Sequence, residues 1–311
     1  MASVTRQVFI FCPLLDLLLV GRRNVRKSLE VKLKHQLPPL YRAILPQTLL
    51  EADYSEKSAT CDDCSMSREK RGASARLVYD PTLKCCTFEP FVPNYLAGGL
   101  FNEASRFPNG VTALRKKIAN REYALPIGLL PSVRFQVEFN QREKGDFGNR
   151  PDWICPYFQK DTQNCGIWKY RGTVCTTFFC QSDHGARGQR FWGHLSDLLA
   201  YVEMALMEET LVELDFSPRQ VSACVDYLNR QEGRPEELLS HALEAKKWKE
   251  LWNGYDSGIE EFYKKCHAKV LSWDRERVEE IMGDWGARLE KKTGDQLRRL
   301  TEGSHAPERK S

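Results

Sequence analysis

The sequence predicts a mainly α-helical protein: an irregular, cysteine-rich, metal-nucleated portion followed by an antiparallel helical bundle. Three observations lead there. Eight of the eleven cysteines fall in two groups between residues 61 and 180. The same stretch is rich in Pro, Gly and aromatic residues, with few runs long enough for a regular helix. Beyond Phe191, apolar residues recur at helical spacing almost to the end of the chain.

Four segments follow from this reading: an N-terminal extension over 1–36, a cysteine-cluster domain over 37–194, a helical region over 195–300 and a disordered tail over 301–311. A chain of 311 residues with 41% hydrophobic content can bury a sizeable core. The 46 Lys+Arg against 42 Asp+Glu leave a charge of only +4, with both signs mixed along the chain. That balance argues against a nucleic-acid reader.

Near the start, Val8 to Val20 form the longest apolar run. Thirteen residues are too few for a helix to cross a hydrocarbon layer about 30 Å thick. Pro13 and Asp16 interrupt the run, and no small-x-small site precedes Arg22-Arg23, so an extension or N-terminal helix is expected rather than a secretory signal. With no export signal and no membrane span, a cytoplasmic location is expected.

Within the cysteine region, residues 111–123 form the one clear helical pattern. Farther on, Leu195, Leu198, Leu199, Val202 and Leu206 mark an amphipathic helix extending to about Leu214. Ser217-Pro218 opens another, with Ser217 as N-cap, Pro218 at the first helical position and Gly233 as its stop. Further helices are expected over 235–253, 256–272 and 274–299, giving an antiparallel bundle.

The candidate metal ligands are Cys61, Cys64, Cys85, Cys86, Cys155, Cys165, Cys175 and Cys180; Cys12, Cys224 and Cys266 lie outside the groups. A CxxC turn such as Cys61–Cys64 brings two thiolates within reach of one metal. Disulfides are disfavoured in a chain of this size that lacks a strong export signal. Zinc favours paired CxxC knuckles, whereas this chain has one, and the second group is spaced C-x9-C-x4-C after Cys155. Irregular spacing and the adjacent Cys85-Cys86 suit an iron-sulfur cluster of the 4Fe-4S type, with zinc as the alternative. Whether one or two centres form stays open.

Lys84, Lys169 and Arg171 lie beside candidate ligands and could offset thiolate charge. Trp153, Trp168, Phe178, Phe179, Phe191 and Trp192 are expected to shield the cluster from water. His184 reads as a loop histidine rather than a ligand, His194 as a packing residue, and Ala97-Gly98-Gly99 as a turn near the metal site. The chain contains no CxxxCxxC of a radical S-adenosylmethionine enzyme and no glycine-rich strand-to-helix turn of a dinucleotide fold.

Several motifs occur together in order. They are Cys61-x-x-Cys64; Lys84-Cys85-Cys86-Thr-Phe88 with Pro93-Asn94-Tyr95-Leu96-x-Gly98-Gly99; Cys155-Pro-Tyr-Phe; Cys165-Gly-Ile-Trp168-x-x-Arg171; and Cys175-Thr-Thr-Phe-Phe-Cys180. Over about 37–200 they resemble the bacterial zinc- or iron-chelating cysteine-cluster family. The chain is similar, more distantly, to the cysteine region of flagellin lysine methylases. Two features depart from the family pattern: an insertion separates Cys64 from Cys85, and Gly172 stands where a proline is usual.

The resemblance implies metal or iron-sulfur binding by these cysteines, and more remotely a cluster-dependent protein lysine methylase. The expected function is therefore metal binding, iron-sulfur first, in an unidentified redox or metal-dependent role. The alternative is a non-catalytic zinc-stabilised module that docks a protein partner.

Overall fold

The computed structural model describes residues 30–57, 64–71 and 78–302. The apolar run at 8–20, Cys12, Cys61 and the tail from 303 onward lie outside the described residues.

In chain order, strand β1 (Glu30–Lys32) leads into three short helices, α1 (Leu33–Gln36), α2 (Pro39–Ile44) and α3 (Gln47–Leu50), then β2 (Ser55–Lys57) and α4 (Arg68–Arg71). Strand β3 (Val92–Pro93) runs into α5 (Asn94–Asn102), followed by α6 (Pro108–Ala119), β4 (Ala124–Leu125), β5 (Gly128–Leu129) and α7 (Val133–Asn140). A two-residue hairpin pair, β6 (Phe158–Gln159) and β7 (Asn164–Cys165), precedes α8 (Thr173–Thr177). Then come α9 (Gly185–Val212), α10 (Pro218–Val225), α11 (Pro235–Leu239), α12 (Ala245–Trp252), α13 (Ile259–Ser272) and α14 (Arg275–Glu302). The protein is thus mainly helical, as expected.

Proline opens α2, α6, α10 and α11, where its missing N–H has no intrahelical partner to lose. The Ser217 cap on α10 is as expected and is completed by Gln220 in a capping box. The helix ends at Val225, eight residues short of Gly233. The pattern over 235–253 is split, because residues between Leu239 and Ala245 leave the helix.

Two helix pairs organise the core: α5 lies along α13, and α14 lies along α9. Helix α9 presents Phe191, Leu195, Leu198, Leu199, Val202 and Leu206, each at most 1% exposed, at spacings of three and four. The apolar core is continuous from Leu33 to Leu300. Consequently the 37–194 and 195–300 portions share one interior, and α9 runs straight across the expected boundary at 194. The C-terminal helices pack on elements of the cysteine region as well as on one another.

Gly98 and Gly99 correct the reading of a turn: both lie inside α5. A Cβ on Gly98 would stand 1.9 Å from the Tyr263 carbonyl oxygen of α13, and one on Gly99 would stand 2.2 Å from the Tyr170 ring. The pair is there because the α5 backbone must approach α13 closely, which outweighs the helix cost of glycine, about 1 kcal/mol each.

Candidate metal centre

A second, smaller apolar cluster holds the chemistry. Met66, Tyr79, Phe135, Phe139, Phe147 and Trp153 form it, with Cys64, Cys85, Cys180, Phe88 and Phe178 packed against it. Cys86, Cys155 and Cys165 border the main core. Seven of the eight candidate ligands are described, all as free thiols; Cys61 lies outside the described residues.

Short, irregular pieces of backbone place them. Cys85 and Cys86 sit on a 3-10 turn, Lys84–Thr87, entered through Lys84 with φ of 58°. That left-handed conformation is uncommon for a residue with a Cβ, and several contacts hold it. The Lys84 side chain is buried, with Nζ donating to the Gln163 carbonyl at 3.1 Å, and Thr87 Oγ accepts from Gly148 N at 2.7 Å. Cys64 closes a turn through Ser67 N to Cys64 O at 3.1 Å, and Tyr79 N bonds Met66 O at 2.9 Å beside it. Cys155 follows a 3-10 turn at Pro151–Trp153, and Phe158 N returns to Cys155 O at 3.0 Å. Phe158 in turn pairs with Cys165 across the β6–β7 hairpin. Cys175 lies on α8, and Cys180 follows it on the way to α9.

The two sequence groups meet. Cys155 N donates to Cys86 O at 2.7 Å, and the neighbouring Cys86 side chain raises the pKa of the Cys85 thiol. As thiolates, Cys64 and Cys86 would repel Cys85, Cys165 and Cys85 would repel Cys175, and Cys165 and Cys175 would repel Cys155. Cys180, Cys85 and Cys64 all act on the buried Tyr79 phenol. The thiols therefore form one electrostatically connected neighbourhood rather than two separate sets. Among the described residues, no three His, Cys, Asp or Glu side chains adopt an arrangement that holds a metal ion.

The protonation states follow from this crowding. The Cys85 thiol is pushed well up by the adjacent Cys86 side chain, then by burial. Burial raises Cys155 and Cys175, and neighbouring thiols add to it. These three are neutral near pH 7 in the absence of a cation. The donor set suits a thiophilic metal: several soft thiols, mostly enclosed, whose mutual repulsion as thiolates a cation would relieve.

The charged residues divide. Arg171 acts on Cys175 and lowers its pKa, partly opposing burial; its guanidinium lies 3.7 Å from the Trp168 ring centroid and donates to Trp168 O and Gln36 O. Lys169 is directed elsewhere, to an ion pair with Glu103. The aromatic shell also differs from expectation. Trp153 and Phe178 line the cysteine cluster, the latter edge-on to Phe147 at 5.6 Å. Phe179 instead stacks on Trp192 at 4.8 Å in the main core, and Trp168 is 47% exposed.

Tyr79, Phe135, Phe139 and Phe147 complete the wall and were not singled out from sequence. Phe135 and Phe139, four apart on α7, carried the available signal. His184 stacks on Tyr54 at 5.0 Å with Nε2 3.0 Å from Ser55 O, and so serves packing. Cys224 and Cys266 are core residues, fully buried on α10 and α13.

Two clefts, of 760 and 560 Å³, lie at α3–α14 and around Tyr123, Tyr227 and Glu237; no candidate cysteine lines either. Among the described residues, no helix is long and apolar enough to cross a membrane. Comparison with known proteins finds no matching family model, no matching curated protein and no matching solved structure. What fold and site define is a mainly helical protein with a convergent thiol cluster walled by aromatic side chains.

Proposed function

We propose that the chain is a cytoplasmic metal-binding protein in which Cys61, Cys64, Cys85, Cys86, Cys155, Cys165, Cys175 and Cys180 supply the ligands for iron-sulfur binding of the 4Fe-4S type, four thiolates to a cluster. The observation that carries this reading is the convergence of thiols from five separate segments, linked by the Cys155 N to Cys86 O bond. Thiols otherwise sparse in a reduced interior gather here, and a soft, multiply charged centre is the partner that compensates their ionisation.

Bound there, such a cluster would supply one-electron redox chemistry. The chain's own part is to present the thiols, to offset their charge through Arg171, and to exclude water with Trp153, Phe135, Phe139 and Phe147.

A zinc-stabilised structural module that docks a protein partner is the second reading. It is favoured by the irregularity of the cysteine segments, which are 3-10 turns, two-residue strands and a five-residue helix. Such pieces gain much from cross-linking, and a structural metal supplies on the order of 10 kcal/mol of folding free energy.

Anaerobic purification followed by iron, sulfide and zinc analysis separates the two. Iron with equimolar sulfide and a broad visible absorption supports the cluster; a colourless protein with stoichiometric zinc supports the module. A well-folded chain carrying neither overturns both.

A further inference from the structure

The stretch from Gly172 to His184 carries Cys175 and Cys180, and a buried carboxylate grips each end of it. At the leading end, Thr173 N donates to Glu203 Oε1 at 2.7 Å, two residues before Cys175; the same oxygen accepts from the Tyr41 hydroxyl. Glu203 is 5% exposed and belongs to α9. Gly172 lets the backbone pass over it, since a Cβ there would lie 2.8 Å from Phe91 O and 3.4 Å from Glu203 Oε1.

At the trailing end, two residues after Cys180, Glu56 of β2 is wholly buried and accepts four hydrogen bonds. The donors are Ser182 Oγ, Tyr54 Oη, Trp192 Nε1 at 3.2 Å and Asp183 N at 2.8 Å. A buried carboxylate persists only when its oxygens are satisfied in this way. Neither glutamate belongs to the aromatic wall or to a cysteine segment, so each ties the ligand-bearing stretch to another element of the fold, α9 through Glu203 and β2 through Glu56.

We propose that Glu56 and Glu203 are positioning residues that set how Cys180 and Cys175 face the other thiols. The inference deepens the ligand assignment above and rests on it for its functional meaning, but the positioning itself is measurable without metal. Charge-neutral, near-isosteric Glu203→Gln and Glu56→Gln keep the volume and replace one acceptor oxygen by a donor.

The test is residue-resolved alkylation of the metal-free chain with N-ethylmaleimide under reducing conditions, read by peptide mass spectrometry. In Glu203→Gln, Cys175 should label at least tenfold faster; in Glu56→Gln, Cys180 should do so. Cys224 and Cys266, buried on other helices, should keep their rates in both. Unchanged rates at Cys175 and Cys180, or an equal rise at all four cysteines, overturn the proposal. If a Gln variant does not fold, Tyr41→Phe removes the hydrogen bond to Glu203, and Ser182→Ala removes the one to Glu56 together with the one that Ser182 Oγ accepts from His184 N. They should raise labelling two- to fivefold at Cys175 and Cys180 respectively, and no change in either overturns the proposal.

In anaerobic preparations the same Gln variants should retain less than half the wild-type metal, and equal retention contradicts positioning. A metal-free wild type with the expected labelling pattern removes the metal reading and leaves the positioning intact.

Discussion

The amide of Cys155 donates to the carbonyl of Cys86 at 2.7 Å, joining by one backbone bond two cysteine groups that stand about seventy residues apart in sequence. Through it the turn at Lys84–Thr87 and the turn at Pro151–Trp153 become neighbours, and the thiols on either side share one electrostatic environment. Consequences for protonation, packing and stability follow.

Because Cys85, Cys155 and Cys175 are all held protonated near neutrality, a metal must displace their protons. Titrating the metal-free chain with zinc in weak buffer should release roughly one proton per ligating thiol, so apparent affinity should climb steeply from pH 6 to 8. Proton release read with an indicator dye checks this; binding without it would mean that other groups hold the metal.

Glycine at 98 is required by the α5–α13 contact. Gly98→Ala drives a methyl into the Tyr263 carbonyl, 1.9 Å away, and should cost about 3 kcal/mol or more by overpacking. Gly294→Ala makes the useful contrast. It lies in α14 with only Leu49 Cδ2 near, at 3.9 Å, and should stabilise by about 0.5–1 kcal/mol through helix propensity. Urea midpoints of the two variants moving in the same direction would contradict the packing described.

Burial lifts the Glu203 carboxyl from 4.5 to about 7, despite hydrogen bonds from Tyr41 and Thr173 that favour its charged form. The folded state keeps this proton to higher pH than the unfolded chain does. Its contribution is therefore fully present below about pH 4.5 and is lost as pH rises toward 7, a change of about 3 kcal/mol. Relative to Glu203→Gln, the wild type should lose roughly that much stability between pH 4.5 and 8. Denaturant unfolding at both pH values measures it, and parallel pH profiles for the two proteins would place the carboxyl in a different environment.

The capping box at Ser217 and Gln220 opens α10, whose Val221 and Cys224 are buried. Ser217→Ala should lower stability by about 1 kcal/mol. A thermal midpoint unchanged within error would show that the cap contributes nothing.

Sequence legibility followed the range of the interaction. Ser217-Pro218 signalled a helix start because capping is decided within four residues, and the leucines from 195 to 206 signalled α9 because a 3.6-residue period is local. Gly98-Gly99 misled, since Gly98 makes room for the backbone of Tyr263, about 165 residues on, and Gly99 for the Tyr170 ring. The helical region likewise read as a bundle of its own because nothing in its pattern reveals that α13 packs on α5. At the site, the cysteines announced themselves by type and spacing. Phe135, Phe139 and Phe147 did not, since a phenylalanine lining a thiol cluster looks like any core phenylalanine until the chain is folded.

The most direct measurement of the central claim is quantitative iron, sulfide and zinc analysis of the anaerobically purified wild type beside a variant with Cys85, Cys86, Cys155 and Cys175 replaced by serine. Bound metal in the wild type, with most of it lost in the variant, is the result predicted. Equal metal content in the two proteins, or a folded wild type that carries no metal at all, contradicts it.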